Sequence, residues 1–233
     1  MPEEHQVTLN PNRTLVYRFA ARLLSLLARM LFRPVVVGAE NIPLEGPVLI
    51  APIHRSNVDF AFTLFISPRK VFFMAKESLF HNSLFGSLLG QLGAFPVRRG
   101  SADRESMASA EDVLRQGRAL VLFPEGTRQE GLEVKPLHDG AMFIAARTGA
   151  TVVPVGIGGS EKAMPVGAKF PRPSKIRIVV GSPIAPPSSE GRVARSAVSA
   201  KSEELRVALE RVYRQSMGLT KRSRHQVPKT TLA

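Results

Sequence analysis

A histidine and an aspartate five positions apart are the first residues in this chain whose types and spacing could support catalysis. His54 and Asp59 follow the apolar run Val48–Pro52, which is typical of a buried strand. An imidazole at the end of a strand can take a proton as a general base, and a nearby carboxylate can orient the ring and stabilise the imidazolium. We therefore predict a catalytic pair at His54 and Asp59.

A second polar site, the sequence FPEGTR at Phe123–Arg128, also comes directly after an apolar run. That run, Ala119–Phe123, again predicts a buried strand. In mainly parallel sheets, ligands bind beyond the carboxyl ends of the strands. Because His54 and Glu125 each lie just past such an end, we expect the two sites to share one crevice.

Short runs rich in valine, isoleucine, leucine and phenylalanine alternate with helical patterns through the middle of the chain. The predicted strands are Val35–Gly38, Val48–Pro52, Val71–Ala75, Ala94–Val97, Ala119–Phe123, Thr151–Gly156 and Ile176–Gly181. The predicted helices are Val58–Ile66, Ser78–Leu89, Ala102–Arg115, Asp139–Arg147 and Glu190–Ser216. The fold class is therefore α/β, a single domain with a mainly parallel or mixed sheet of about seven strands flanked by helices.

The apolar segment Val71–Val97 has two interpretations. Most of its large side chains are expected in the core of the domain. The glycines among them, Gly86, Gly90 and Gly93, also leave room for an acyl chain or a lipid beside the larger residues. Both interpretations remain open from the sequence.

The composition is strongly basic and contains no cysteine. A formal net charge of +13 over 233 residues favours anionic partners, which are lipid headgroups, nucleic acid or phosphorylated substrates. Without cysteine there is no disulfide, no thiol nucleophile and no Cys-ligated metal. The sequence also lacks an H-E-x-x-H pattern and any carboxylate cluster at ligand spacing, so we expect no metal cofactor.

The segment Arg13–Arg33 has one basic and one apolar face on a helical wheel. The basic face comprises Arg18, Arg22, Arg29 and Arg33. The uncharged stretches are much shorter than the roughly 20 apolar residues that a transmembrane helix needs. Such a helix is typical of the interface of an anionic membrane, and packing on the domain's own core is the alternative.

These patterns predict three parts of the chain. Residues 1–34 form an N-terminal amphipathic, membrane-associating segment, and residues 35–217 form the folded domain. Residues 218–233 form a basic tail with no acidic residue, which we expect to be disordered. The expected location is peripheral or monotopic, on the cytoplasmic face of the cell membrane.

Four short motifs occur in order along the chain. They are H-x4-D at His54–Asp59, G-x-[IF]-[FP]-[IV]-x-R at Gly93–Arg99, F-P-E-G-T-R at Phe123–Arg128 and V-P-V at Val153–Val155. Together they resemble the glycerophospholipid acyltransferases typified by 1-acylglycerol-3-phosphate acyltransferase, and the similarity covers residues 35–185. The resemblance implies a glycerol-3-phosphate acyltransferase-like fold and direct acyl transfer without an acyl-enzyme. The absence of cysteine and of a G-x-S-x-G motif agrees with direct transfer.

The resemblance also implies a role for each motif residue. His54 would take the proton of a glycerol hydroxyl as that hydroxyl attacks an acyl thioester, and Asp59 would hold the imidazole. Glu125 would hydrogen-bond the glycerol backbone or fix Arg128. The substrate-binding residues are expected to be Glu125, Gly126, Thr127, Arg128, Arg99 and Lys76, of which the two arginines and the lysine suit a phosphate.

Two departures from the family pattern stand out. Gln129 occupies a position after Thr127-Arg128 where the family usually has serine. Further on, the family often shows Phe-Lys-x-Gly, whereas this chain has Leu137–Gly140, so Lys135 would have to substitute for the missing lysine. His138 within that segment is expected on the surface or as a helix cap.

The expected reaction is transfer of a fatty acyl group to lysophosphatidate, giving phosphatidate in phospholipid biosynthesis. The donor is acyl-CoA or acyl carrier protein as co-substrate, with no other cofactor and no nucleic-acid partner. An acceptor that is another lysophospholipid or a glycolipid is the alternative within the enzyme class. A non-catalytic basic protein that binds membranes or nucleic acid is a more distant one.

Overall fold

Seven strands form one mixed sheet in the computed structural model of this chain. They are β1 (Val35–Val37), β2 (Val48–Pro52), β3 (Val71–Lys76), β4 (Ala94–Val97), β5 (Ala119–Val121), β6 (Thr151–Gly158) and β7 (Arg177–Val180). The structure describes Leu23, Leu26 and residues 29–67, 69–82, 86–87, 89–90, 92–97, 103–165, 167–168, 170–187 and 193–218. The predicted α/β class with a seven-stranded mixed sheet is confirmed.

The strand order brings the two predicted sites to the same edge of the sheet. The order is β1-β7-β6-β2-β5-β3-β4. The five strands from β6 to β4 run parallel to one another, while β7 is antiparallel to β6 and parallel to β1. Because β2 and β5 are parallel neighbours, their carboxyl ends open side by side. His54 and Glu125 follow those two ends.

Helices cover both faces of the sheet. They are α1 (Asp59–Thr63), α2 (Asp103–Arg115), α3 (Gly140–Thr148), α4 (Ser160–Ala163) and α5 (Arg195–Ser216), with 3₁₀ helices at Ala39–Asn41 and Glu77–Phe80. On one face α2, α3 and α5 enclose a core with Leu49, Leu120 and Val152. On the other face, α1 and the helical residues near Leu89 enclose a second core with Ile50 and Val153. Alternate residues of each central strand therefore enter opposite cores.

The strands match their predicted ranges closely. β2 and β4 have the predicted bounds. β5 ends at Val121 and not at Phe123, because Pro124 has no N–H for a ladder and the N–H of Gly126 closes a turn on the carbonyl of Phe123 (3.1 Å). The N–H of Leu122 still donates to the carbonyl of Ile50 in β2 (3.0 Å), so the apolar run continues for two residues past the assigned end of the strand.

The helices differ more from the prediction. The predicted helix Ser78–Leu89 begins as the 3₁₀ helix Glu77–Phe80, and α1 is shorter than the predicted Val58–Ile66. The last helix begins at Arg195, after Ala194 in an extended conformation, rather than at Glu190. Neither α4 nor the 3₁₀ helix Ala39–Asn41 is predicted, since both are too short to show a helical period.

Much of the apolar segment 71–97 lies in the core. Phe72, Phe73, Leu92 and Phe95 are buried, whereas Leu79 is exposed. The core interpretation therefore holds for these four residues. A groove for an acyl chain in this segment stays a prediction.

Part of the N-terminal segment is described. Residues 29–32 are helical, and Phe32 packs edge-on against Phe62 of α1 with ring centroids 5.1 Å apart. Within the described residues, no helix combines the length and apolar character that a bilayer crossing requires. Arg18, Arg22 and residues 219–233 lie outside the described residues, so the amphipathic helix and the disordered tail stay predictions.

Candidate active site

His54 and Asp59 are brought together by the tight turn that follows β2. The N–H of Ile53 still bonds to Val155 of β6 (3.0 Å), and the N–H of Asp59 closes the turn on the carbonyl of Ser56 (3.3 Å). Asp59 then opens α1, where a carboxylate suits the positive end of the helix dipole. The Nδ1 atom of His54 lies 3.0 Å from Oδ2 of Asp59. The structure thus forms the predicted pair.

The hydrogen bonds of Asp59 determine which ring nitrogen of His54 carries the proton. Asp59 is fully buried, and its Oδ2 accepts the backbone N–H groups of Arg55 and Ser56, each at 2.6 Å. Because Oδ2 accepts these two N–H groups, it acts as an ionised carboxylate oxygen, which has no proton to donate. In the third hydrogen bond Nδ1 of His54 must therefore be the donor. The Nε2 atom of His54 then carries the lone pair that a general base needs.

The ring of His54 is held from a second side and reaches the surface. It stacks on Phe123 with ring centroids 4.1 Å apart and an interplanar angle of 26°. The side chain of His54 is 18% exposed, whereas that of Asp59 is not exposed at all. A solvent-facing imidazole with a buried orienting carboxylate is the arrangement that general-base catalysis requires.

Glu125 forms a buried ion pair with Arg55 next to the backbone of His54. Both of its carboxylate oxygens lie 2.8 Å from Nη1 of Arg55, and Oε2 also accepts the backbone N–H of His54 at 2.8 Å. The side chains of Arg55 and Glu125 are each only 1% exposed. Removing one partner of such a pair typically costs about 3–5 kcal/mol, because the other charge remains buried and unpaired.

These contacts correct the expectation for Glu125. Its carboxylate pairs with Arg55 and not with Arg128, and a contact between Glu125 and a glycerol hydroxyl stays a prediction. The residue that sequence reasoning missed is therefore Arg55. The available signal was its position directly after the histidine, but its partners lie far away along the chain.

The remaining residues of the FPEGTR motif continue the loop that follows Glu125. Gly126 has a left-handed φ of 69°, and Thr127 accepts a hydrogen bond from the side chain of Gln129 (3.1 Å). Arg128 is exposed, and none of the ion pairs formed between described residues involves it. Its guanidinium is therefore available to an anion.

The two departures from the family pattern have little effect on the catalytic pair. The backbone N–H of Gln129 donates to the carbonyl of His54 at 2.9 Å, a contact that any residue other than proline can make there. His138 is exposed, with its ring beside Gly126, and Asp139 rather than His138 precedes α3. Lys135 is exposed too.

The side chains of two predicted phosphate ligands lie outside the described part of the structure. Arg99 lies outside the described residues, and only the backbone of Lys76 is described, at the end of β3. Within the described part of the chain, no three histidine, aspartate or glutamate side chains are grouped so that they could hold a metal ion. The contact between His54 and Asp59 is suited to proton transfer at His54.

The comparisons with known proteins agree with this geometry. A family model described as Acyltransferase matches residues 33–158, which include both motif segments of the site. The chain belongs to the acyltransferase family. This membership gives the reaction class, since an enzyme of this family transfers acyl groups.

Individual relatives are similar over most of this acyltransferase. It is 31% identical over 170 residues to the 1-acyl-sn-glycerol-3-phosphate acyltransferase of Bacillus subtilis, covering 72% of this chain and 82% of that protein. It is 27% identical over 180 residues to the chloroplastic enzyme LPAT1 of Arabidopsis thaliana, covering 75% and 50% of the two chains. The crystal structure of PlsC from Thermotoga maritima has the same fold, with a TM-score of 0.71, 24% identity and coverage of 92% and 87%.

Proposed function

We propose that this acyltransferase transfers a fatty acyl group from a thioester donor to the free hydroxyl of 1-acylglycerol-3-phosphate. The donor is acyl-CoA or acyl carrier protein, and no further cofactor takes part. The observation that carries the proposal is the solvent-facing His54 held by the buried Asp59. The names of the relatives support the acceptor.

His54 supplies the base that a glycerol hydroxyl needs. Nε2 takes the hydroxyl proton as the hydroxyl oxygen bonds to the carbonyl carbon of the thioester. The carbon–sulfur bond then breaks, and the imidazolium returns the proton to the departing thiolate. Asp59 stabilises the imidazolium through the bond at Nδ1, so ester and thiol form without a covalent enzyme intermediate.

Arg128 is the proposed ligand for the phosphate of the acceptor. It is exposed, follows Glu125 in the same loop, and is not engaged by any described carboxylate. A guanidinium binds a phosphate through paired hydrogen bonds. Arg99 and Lys76 are proposed as further phosphate ligands on the resemblance alone.

The N-terminal segment is proposed to lie on the cytoplasmic surface of an anionic membrane. Leu23, Leu26 and Met30 are exposed on the described part of this helix. Arg29 and Arg33 line a cleft of about 330 Å³ whose remaining walls are apolar. Apolar side chains beside arginines suit the boundary between acyl chains and phosphate headgroups.

An acceptor panel with purified enzyme and labelled acyl-CoA tests the proposed reaction. We expect lysophosphatidate to be acylated with a higher kcat/KM than lysophosphatidylcholine, glycerol 3-phosphate or a glycolipid. His54→Ala is expected to lower kcat by a factor of about 10²–10⁴ or more, because the base is lost. Arg128→Gln is expected mainly to raise KM for lysophosphatidate.

The control is Arg211→Gln, which removes an exposed arginine from α5 and should leave both constants unchanged. Full activity of His54→Ala would contradict the assignment of the base. A preference for a glycolipid acceptor over lysophosphatidate would contradict the assignment of the acceptor. Measuring acyl carrier protein beside acyl-CoA identifies the donor.

A further inference from the structure

Arg55 is the most extensively bonded buried side chain of the site. Its guanidinium donates to the carboxylate of Glu125 and to the carbonyls of His54 (3.1 Å), Gly131 (3.2 Å) and Glu133 (3.0 Å). Its Cζ atom lies 5.0 Å from the centre of the Tyr213 ring. A buried charge is costly unless hydrogen bonds and an opposite charge replace its hydration. For Arg55 the fold supplies both.

The contacts of Arg55 hold the backbone of the catalytic histidine from both sides. The N–H of His54 donates to Glu125, which Arg55 fixes, and the carbonyl of His54 accepts from Arg55 itself. The carboxylate of Asp59 in turn accepts the backbone N–H of Arg55. The position of the imidazole therefore depends on Arg55 although the two side chains do not touch.

The ring of Tyr213 packs against the guanidinium of Arg55. It lies near the end of α5, is 1% exposed, and its hydroxyl donates to the carbonyl of Gly131 at 3.4 Å. Burial raises the pKa of the Tyr213 phenol, so a neutral aromatic face stays beneath the guanidinium. The last helix is thus part of the support for His54.

Arg55 is not placed to bind a substrate. Its side chain is 1% exposed, and its charge is neutralised by Glu125. An arginine that bound the acceptor phosphate would need an exposed guanidinium, as Arg128 has. The contribution of Arg55 to catalysis must therefore pass through His54.

We propose that Arg55 is a positioning residue for the general base, acting with Glu125 as one unit that Tyr213 supports. The inference rests on the proposed role of His54. It implies that loss of Arg55 lowers the rate of the chemical step and leaves substrate binding intact. Lysine cannot replace it, because an ammonium lacks the planar fork that reaches all of these acceptors.

Steady-state kinetics test this proposal. The single variants are Arg55→Lys, Arg55→Gln and Glu125→Gln, and the double variant is Arg55→Gln/Glu125→Gln. We expect kcat to fall at least about tenfold in each single variant, with KM for lysophosphatidate and acyl-CoA changed by less than about twofold. The double variant should lose no more than the worse single one, since residues that act as a unit are not additive. Independent, multiplicative losses would overturn the proposal.

Tyr213 gives a second test that does not introduce an unpaired charge. Tyr213→Leu should lower kcat while Tyr213→Phe, which keeps the ring, should restore most of it. Arg214→Gln is the matched control on the same helix, because that exposed arginine pairs with Glu210 and with no other carboxylate among the described residues. Equal rates for Tyr213→Leu and the native enzyme would remove Tyr213 from the unit.

A stability control separates positioning from general loss of structure. Ile178→Ala deletes buried side-chain atoms in β7, away from His54, and the Tm of every variant is measured beside it. If Ile178→Ala and Arg55→Lys lower Tm equally and also lower kcat equally, the role of Arg55 is only structural.

A raised KM with unchanged kcat in the Arg55 variants would instead make Arg55 a substrate ligand. An inactive native enzyme refutes the proposed function, whereas an active native enzyme with fully active Arg55→Lys refutes only this inference.

Discussion

Gly126 is the residue of the site whose backbone conformation and surroundings both exclude a side chain. Its φ of 69° lies in the left-handed region that favours glycine. A Cβ atom built on it would lie 2.9 Å from Cδ2 of His138. The turn that leads into Thr127 and Arg128 therefore favours glycine for two separate reasons.

Gly126→Ala should accordingly impair the site more than strain alone would. We expect a loss of about 1–3 kcal/mol in the free energy of unfolding from strain and crowding together, and a raised KM for lysophosphatidate because Arg128 moves. Denaturant unfolding and steady-state kinetics provide the measurements.

The matched control for this prediction is Gly149→Ala. Gly149 has a similar φ of 67°, but a Cβ there meets no atom within 4 Å, so that variant carries only the strain. Adding His138→Ala to Gly126→Ala should recover the difference between the two. Equal effects of Gly126→Ala and Gly149→Ala would show that the contact with His138 is unimportant.

At the residue scale, the sequence predicts the catalytic pair but not its support. His54 and Asp59 are five positions apart on one turn, so local spacing alone brings them together. The partners of Arg55 lie at positions 125, 131, 133 and 213, and only the assembled sheet and α5 bring those segments together. The true partner of Glu125 could not be predicted for the same reason.

Among the elements, α5 lies unusually close to β6. A Cβ atom on Gly156 would lie 2.4 Å from the backbone carbonyl of Val212, and one on Gly158 would lie 2.6 Å from that of Ser216. The helix backbone therefore rests directly on these two glycines. This close approach puts Tyr213, the residue after Val212, beneath Arg55.

Gly156→Ala is expected to push α5 away from the sheet. The obstacle is backbone and cannot rotate aside, so the free energy of unfolding should fall by about 1–3 kcal/mol or more, and kcat should fall because Tyr213 moves. Gly140→Ala is the control, since a Cβ there meets only the side chain of Met107 at an ordinary distance of 3.8 Å. A fully stable Gly156→Ala variant would mean that α5 is not held against β6 in this way.

The predicted elements differ in accuracy for a physical reason. β2 and β4 were predictable to the residue, because each is a short apolar run whose ends are marked by proline, glycine or charged residues. The predicted helix Ser78–Leu89 instead begins as a 3₁₀ helix, and the start of α5 was placed five residues too early. Helical periodicity identifies a face but not the residue where hydrogen bonding begins.

For the whole molecule, charge and exposed apolar surface together predict how the enzyme meets its substrate. The chain carries a net charge of +13, and Met30 beside Arg29 is 71% exposed. An acceptor that resides in a membrane must reach His54 from the lipid surface. Binding to that surface should therefore depend on the N-terminal arginines as well as on total charge.

The double variant Arg29→Gln/Arg33→Gln is expected to bind anionic vesicles about thirtyfold more weakly, at about 1 kcal/mol for each basic residue near the surface. Co-sedimentation with phosphatidylglycerol-rich vesicles measures this, and added salt should reduce the difference. Arg195→Gln/Arg211→Gln removes the same charge from exposed positions on α5. Equal weakening by both double variants would make binding a matter of net charge alone.

The contact between Arg55 and Tyr213 has a consequence for the order in which this protein is made. Tyr213, whose ring lies against Arg55, follows His54 by about 160 residues along the chain. During translation, the segment around His54 therefore leaves the ribosome long before Tyr213 does. The contacts around His54 are complete only after α5 has docked on β6.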